Sequence, residues 1–288
     1  MGPASLTPFS GPLVINVALT GMVARRRDHP AIPEQPEEIA ADVAACAAAG
    51  AATVHLHIRD SDGAPDYRRA RYAETIRAVR AAAPDVVVCV STSGRTFTTF
   101  EQRSDVLDLD PDVAPELASL TLGSLNFPKQ ASVNEPATIQ RLAARMHERG
   151  IVPELEIFDL GMVDYAHYLI GRGLLNPPFV FNLLLGSLGT LAATPVNLAL
   201  LVERLPAGAY WQAAGISRAQ WPMNALAVVT GGHVRTGVED NLWMDADTRV
   251  PATNPALVRR VAALACAVGR PLATPALARE LMGLPPRS

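Results

Sequence analysis

The sequence predicts an α/β fold of the (β/α)8 TIM-barrel class, and three observations carry that prediction. Apolar runs of strand length alternate with helical patterns along the whole chain, as repeated βα units require. Eight such runs can be counted. The chain has 288 residues, close to the ~250 typical of this barrel, and its 49% hydrophobic content is enough for one large core.

The first predicted strand is Leu13 to Leu19. It lacks a preceding basic segment, is too short to cross a bilayer and meets Gly21 at once, so it is expected to be a strand of a cytoplasmic protein rather than a leader or anchor. Residues 1–12 are expected to form a poorly ordered extension, and residues 13–288 one barrel domain ending in a helical tail. The next strands are Thr53 to Ile58, Val86 to Ser91, Ala118 to Gly123, Val152 to Phe158, Phe179 to Gly186, Ala209 to Ile216 and His233 to Val238. Between the first two, Pro36 opens a helix whose Ile39, Val43 and Cys46 share a face and which stops at Gly50; Asn134 and Pro136 open another that stops at Gly150. The connection from Thr92 to Glu116 has little helical periodicity and predicts a long loop over the barrel mouth with a short helix. Thr274 and Pro275 cap a last helix, expected to pack outside the domain or on a neighbouring subunit.

Composition narrows the function classes. With 25 basic against 28 acidic residues, nothing argues for a nucleic acid or a membrane surface as partner. Cys46, Cys89 and Cys266 are far apart in apolar surroundings and predict buried free thiols in a reducing compartment.

The chemistry-bearing residues gather where barrel strands end. His55 and His57 stand two apart in an apolar strand and so project from one face. Burying two imidazoles is costly unless something engages their nitrogens, and a divalent metal does so. The eighth strand continues into Arg235, Glu239 and Asp240, and even-numbered strands share barrel layers, which makes Glu239 the expected third ligand. Two histidines and a glutamate leave positions on zinc open, as catalysis requires. Asp240 beside Arg235 suits an ionised general base. Ser91 closes the third strand, Ser124 and Asn126 follow the fourth, and Glu154 and Glu156 should point into the barrel from the fifth. Gly215 to Arg218 and the pair Gly231–Gly232 are weaker candidates for phosphate binding. Hydrogen-bonded core histidines and helix N-terminal acids would explain some of the same residues without chemistry.

His-Leu-His-Ile-Arg-Asp, Ser-Leu-Asn-Phe, Val-Pro-Glu-Leu-Glu, Gly-Met-Val-Asp and Thr-Gly-Gly-His-Val-Arg-Thr-Gly-Val-Glu-Asp-Asn, after an initial Ala-Leu-Thr-Gly, occur in the order in which they stand in the β-keto acid cleavage enzymes. The chain resembles that family over roughly residues 13–280. The resemblance implies a zinc-dependent TIM barrel, usually a homotetramer, that converts a β-keto acid and acetyl-CoA into acetoacetate and a new CoA thioester. By motif, His55, His57 and Glu239 would hold one zinc per subunit, and Asp240 paired with Arg235 would deprotonate the acetyl-CoA methyl group. Ser91 and Ser124 would hold substrate oxygens, with Val23, Asn126, Glu154 and Glu156 in the substrate pocket. Val23 stands where the amine-cleaving member has a glutamate, so the substrate tail is expected to be apolar or uncharged; Arg25, Arg26 and Arg27 leave an anionic tail open. The alternatives are a metal-dependent hydrolase of amidohydrolase type, which needs its His pair on the first strand and further histidines on the fifth and sixth, and a non-catalytic barrel.

Overall fold

Eight parallel strands close on themselves in a computed structural model that describes residues 11–245, 247 and 249–286. They are β1 Ile15–Ala18, β2 Thr53–Leu56, β3 Val87–Val90, β4 Leu117–Thr121, β5 Val152–Ile157, β6 Val180–Leu185, β7 Tyr210–Gly215 and β8 His233–Thr236. Each pairs with its sequence neighbours, and β1 closes the ring against β8 in the register Ile15↔Val234 and Asn16↔Arg235. The N-terminal extension falls mainly on residues 1–10, outside the described residues; Gly11 and Pro12 are described, and their carbonyls accept from Arg270.

Alternation along each strand divides the core in two. Outward residues such as Val54, Leu56, Val88, Val90, Leu155 and Ile157 join the main apolar cluster under the helices. Inward residues are largely polar at mid-barrel: Asn16, His55, Ser119, Glu154, Asn182 and Gln212 are all buried. The covering helices are α1 Pro36–Ala48, α2 Arg69–Ala82, α3 Phe100–Ser104, α4 Pro136–Glu148, α5 Leu160–Gly171, α6 Pro195–Glu203, α7 Gln220–Val229, α8 Asn254–Ala267 and α9 Pro275–Leu281. Proline at the first helical turn opens α1, α4, α6, α8 and α9, and threonine hydroxyls cap the last three of these. The long third connection carries the short α3 and a 3-10 turn, Asp105–Asp108.

Three expectations change. The second strand ends at Leu56, and Ile58–Arg59 turns into a hairpin with Pro65–Asp66, so His57 occupies the break between them. Cys46 and Cys89 are buried but Cys266 is exposed, because it lies on the outer side of α8. The tail packs on the barrel itself: Ala278, Met282 and Leu284 meet Val14, Ala52, Val87, Leu117, Val180 and Tyr210 beneath the strands. Arg279 fixes this floor through the Asp85 carbonyl at 2.7 Å and Glu116 at 2.8 Å.

Candidate active site

His55 of β2, His57 just past its end and the segment after β8 converge at the C-terminal end of the barrel. His55 Nε2 lies 3.2 Å from His57 Nε2, and Glu239 Oε1 lies 3.3 Å from His57 Nε2 and 3.9 Å from His55 Nε2. Local sequence explains the approach. Gly237 takes φ +146° over the Ala18 carbonyl, a region that L side chains avoid, and the Glu239 N–H then donates to that carbonyl at 3.2 Å. Gly21, at φ +64°, leaves the space that Glu239 fills; a Cβ there would lie 2.7 Å from Glu239 Cγ. Side chains from the helices hold the segment: Asn224 donates to the Arg235 carbonyl, Gln220 to that of Gly237, and Asn254 accepts from the Val238 N–H, each at 2.8 Å.

Arg235 organises the charges. Its Nε and Nη2 donate to the two Asp240 oxygens at 2.9 and 3.0 Å, and Nη2 also donates to Glu239 Oε1 at 2.8 Å. Burial would lower its pKa, but Asp240 and Glu239 outweigh burial and hold the guanidinium charged. Burial pushes the Asp240 carboxyl up against the pull of Arg235, while in Glu239 the attraction of His57 and Arg235 outweighs burial and moves the pKa down. Burial drives His55 well below its usual value and keeps its imidazole neutral.

The donor set fits a divalent metal. Tetrahedral bonds of about 2.0–2.1 Å place ligand atoms roughly 3.3 Å apart, the spacing of the two contacts made by His57. Glu239 Oε2 is buried without a partner, and so is His55 Nδ1, which faces Glu154 Oε2 at 3.9 Å. An imidazole whose second nitrogen faces a carboxylate is the usual surrounding of a metal-bound histidine.

A cavity of about 340 Å³ opens above these groups. His57, Arg235, Glu239, Asp240, Ser91, Glu156 and Val23 line it, so most of the expected site residues are brought together. Glu156 accepts from Thr121 Oγ1 at 2.6 Å, and burial raises its pKa. Glu154 lies lower, accepting from Asn16, Asn182 and Gln212 at 3.2, 3.2 and 2.7 Å, and burial pushes it up to about 7. It does not line the cavity. Neither do Ser124 and Asn126: both are exposed, Ser124 Oγ accepts the Asn134 N–H at 2.8 Å, and Asn126 belongs to the hairpin Leu125–Asn126 with Ala131–Ser132. The strand that should carry them inward ends at Thr121.

Gly231 and Gly232 precede β8 at the opposite end of the barrel, where Gly232 packs on Trp211 and its carbonyl accepts from Arg270, so they are no phosphate site of this cavity. Ser217 does line the cavity, with Arg218 exposed beside it. Sequence reasoning missed Arg95, Thr121, Phe127, Ser187 and Leu188. For Arg95 the signal was present: Thr-Ser-Gly-Arg follows Ser91 just beyond β3.

A family model described as beta-keto acid cleavage enzyme matches residues 12–284. The chain belongs to that family. Among relatives of this family member, the 3-oxoadipate:acetyl-CoA acetyltransferase of Cupriavidus necator is 40% identical over 277 residues, 95% of each chain. The 3-keto-5-aminohexanoate cleavage enzyme of Fusobacterium nucleatum is 38% identical over 273 residues, 94% of this chain and 98% of the relative. A solved structure, the binary complex of ObcA with oxaloacetate, superposes with a TM-score of 0.78 at 24% identity, over 88% of this chain and 68% of that one, a likeness of fold. With His55 on β2, His57 just past it and no histidine on β5 or β6, the chain does not meet the amidohydrolase pattern.

Proposed function

We propose that this family member exchanges acyl partners between a β-keto acid and acetyl-CoA, releasing acetoacetate and a new CoA thioester. One observation carries the proposal: three ligand atoms converge beside a buried arginine–carboxylate pair at the open end of the barrel. His55, His57 and Glu239 would hold the metal, which when bound supplies Lewis-acid polarisation of a ketone. Asp240, set in place by two hydrogen bonds from Arg235, takes a proton from the acetyl-CoA methyl group, and the resulting carbanion adds to the ketone carbon. A carboxylate whose pKa is raised by burial is a better base for that task than one in water. CoA transfer within the adduct and a retro-Claisen cleavage then free both products. Ser91, on the cavity wall, offers a hydroxyl to a substrate oxygen. Zinc, one per subunit, is the metal proposed, on the nature of the donor set, and the family resemblance supports a homotetramer in the cytoplasm. Among the described residues no helix is long and apolar enough to cross a membrane.

The two relatives are named for substrates with tails of opposite charge, so neither name assigns the tail. The test is direct. Purified protein, assayed for metal by elemental analysis, is incubated with acetyl-CoA and a panel of β-keto acids while acetoacetate is followed. Acetoacetate is expected from at least one; metal-loaded protein that produces none would overturn the proposal.

A further inference from the structure

Two guanidinium groups line the cavity, and only one is matched by acids. Arg235 is held by Asp240 and Glu239. Arg95 lies on the loop after β3, half-buried, with its guanidinium carbon 3.3 Å from the centroid of the Phe127 ring. Its backbone is tied down, since the carbonyl accepts from Gln130 and the N–H donates to Ser93 Oγ. Its charged end has no hydrogen-bond or ion-pair partner among the described residues. Glu239, Glu156 and Asp240 are near enough to favour its charge but do not touch it, and burial works against that charge. A half-buried cation held on an aromatic face and left without an acid is costly unless a ligand supplies one.

The rest of the cavity says where that acid sits on the ligand. Leu125, Phe127, Pro128, Phe158, Leu184 and Leu188 form an apolar stretch of wall suited to a methylene chain. The carboxylate next to the reacting ketone has donors of its own among the lining residues, the Ser91 hydroxyl and Arg235. The triplet after Val23 is spent elsewhere: Arg25 donates to the Gly63 carbonyl, Arg26 pairs with Glu38 and Arg27 lies near Asp28. None of the three lines the cavity.

We infer that Arg95, braced on Phe127, receives a second carboxylate at the far end of the substrate tail, so that the keto acid cleaved is a dicarboxylic one. This rests on the function proposed above and reverses the expectation of an uncharged tail drawn from Val23. A neutral or cationic tail would leave Arg95 unmatched.

Two measurements separate the failure of this inference from the failure of that function. In the first, kcat/KM is compared for 3-oxoadipate and 3-oxohexanoate, which differ in the terminal group. The wild type favours the former, Arg95→Gln lowers the ratio about 100-fold, and Arg95→Lys restores part of it. Equal losses for both substrates, or a change confined to KM for acetyl-CoA, would place Arg95 on the reacting carboxylate or on CoA and sink the inference. In the second, adipate and hexanoate are titrated calorimetrically into metal-loaded protein. Adipate binds more tightly, and Arg95→Gln removes the difference. No preference for adipate in the wild type overturns the inference even if keto acids turn over. A preference that depends on Arg95, without turnover of any keto acid, upholds the binding site and rejects the reaction.

Discussion

Glu239 reaches the two histidines because Gly21 gives way to it, and this placement makes its chemistry testable one atom at a time. Glu239→Gln keeps the shape and removes the charge; metal content at a fixed low metal concentration should fall, with an affinity loss of at least ~10-fold, read by competition with a chelator. Asp240→Asn should keep the metal and lower kcat by about 10²–10⁴-fold, the range for a removed general base; metal loss in this variant would instead make Asp240 a ligand. A different histidine governs acid stability. His233 stacks on Tyr210 at 4.3 Å and accepts the Val14 N–H at Nδ1, 3.0 Å away, so protonation would set a donor against a donor. Burial, helped by Arg270, lowers its pKa from 6.5 to about 3. The unfolded chain therefore takes up this proton before the folded one does, and the stability from keeping His233 neutral is complete above 6.5 and lost as pH falls toward 3. Between pH 7 and pH 4 the wild type should lose roughly 3 kcal/mol more than His233→Gln, measured by urea unfolding at each pH.

At the scale of elements, α9 is the part whose place the sequence did not tell. Its existence was legible in Thr274 and Pro275, and the structure bears both out as cap and first turn. Its docking site was not, since an amphipathic tail reads the same whether it meets a barrel floor or a second subunit. The buried cluster of Arg80, Glu116 and Arg279 settles which face it takes. Arg279→Met should cost roughly 2 kcal/mol by removing charged hydrogen bonds, seen as a lower urea midpoint; a change within a few tenths of a kcal/mol would mean that the floor is held by apolar contacts alone. Strands were easier to read, because β-branched runs such as Val86 to Val90 and the alternation of Glu154 with Leu155 express burial directly. Ser124 and Asn126 were misplaced for the converse reason: a polar residue past a strand end carries no sign of whether the chain turns inward or, as here, into an exposed hairpin. Arg95 stood in view just beyond β3, but the aromatic face that braces it, Phe127, is a neighbour only in space.

Across the whole molecule, the polar interior couples the site to the fold. His55, Asn16, Asn182 and Gln212 all turn toward Glu154 in the middle of the barrel, so a ligand that fixes His55 stiffens strands on every side. Metal binding to the folded state alone adds roughly 3 kcal/mol at a hundredfold excess over Kd, or about 5–10 °C in Tm for a chain of this size. Differential scanning fluorimetry with and without chelator should show that shift in the wild type and its absence in His57→Ala. Equal shifts in both proteins would place the stabilising metal elsewhere.

The floor formed by α9 has a further consequence, this time for traffic. With that end sealed, two substrates must enter and two products leave through one doorway. Initial-rate kinetics should therefore show the small keto acid adding before the bulky thioester and acetoacetate leaving after it; random addition would speak against a single doorway. A queue of this kind imposes an order on the kinetics, with each departure setting the pace of the next arrival.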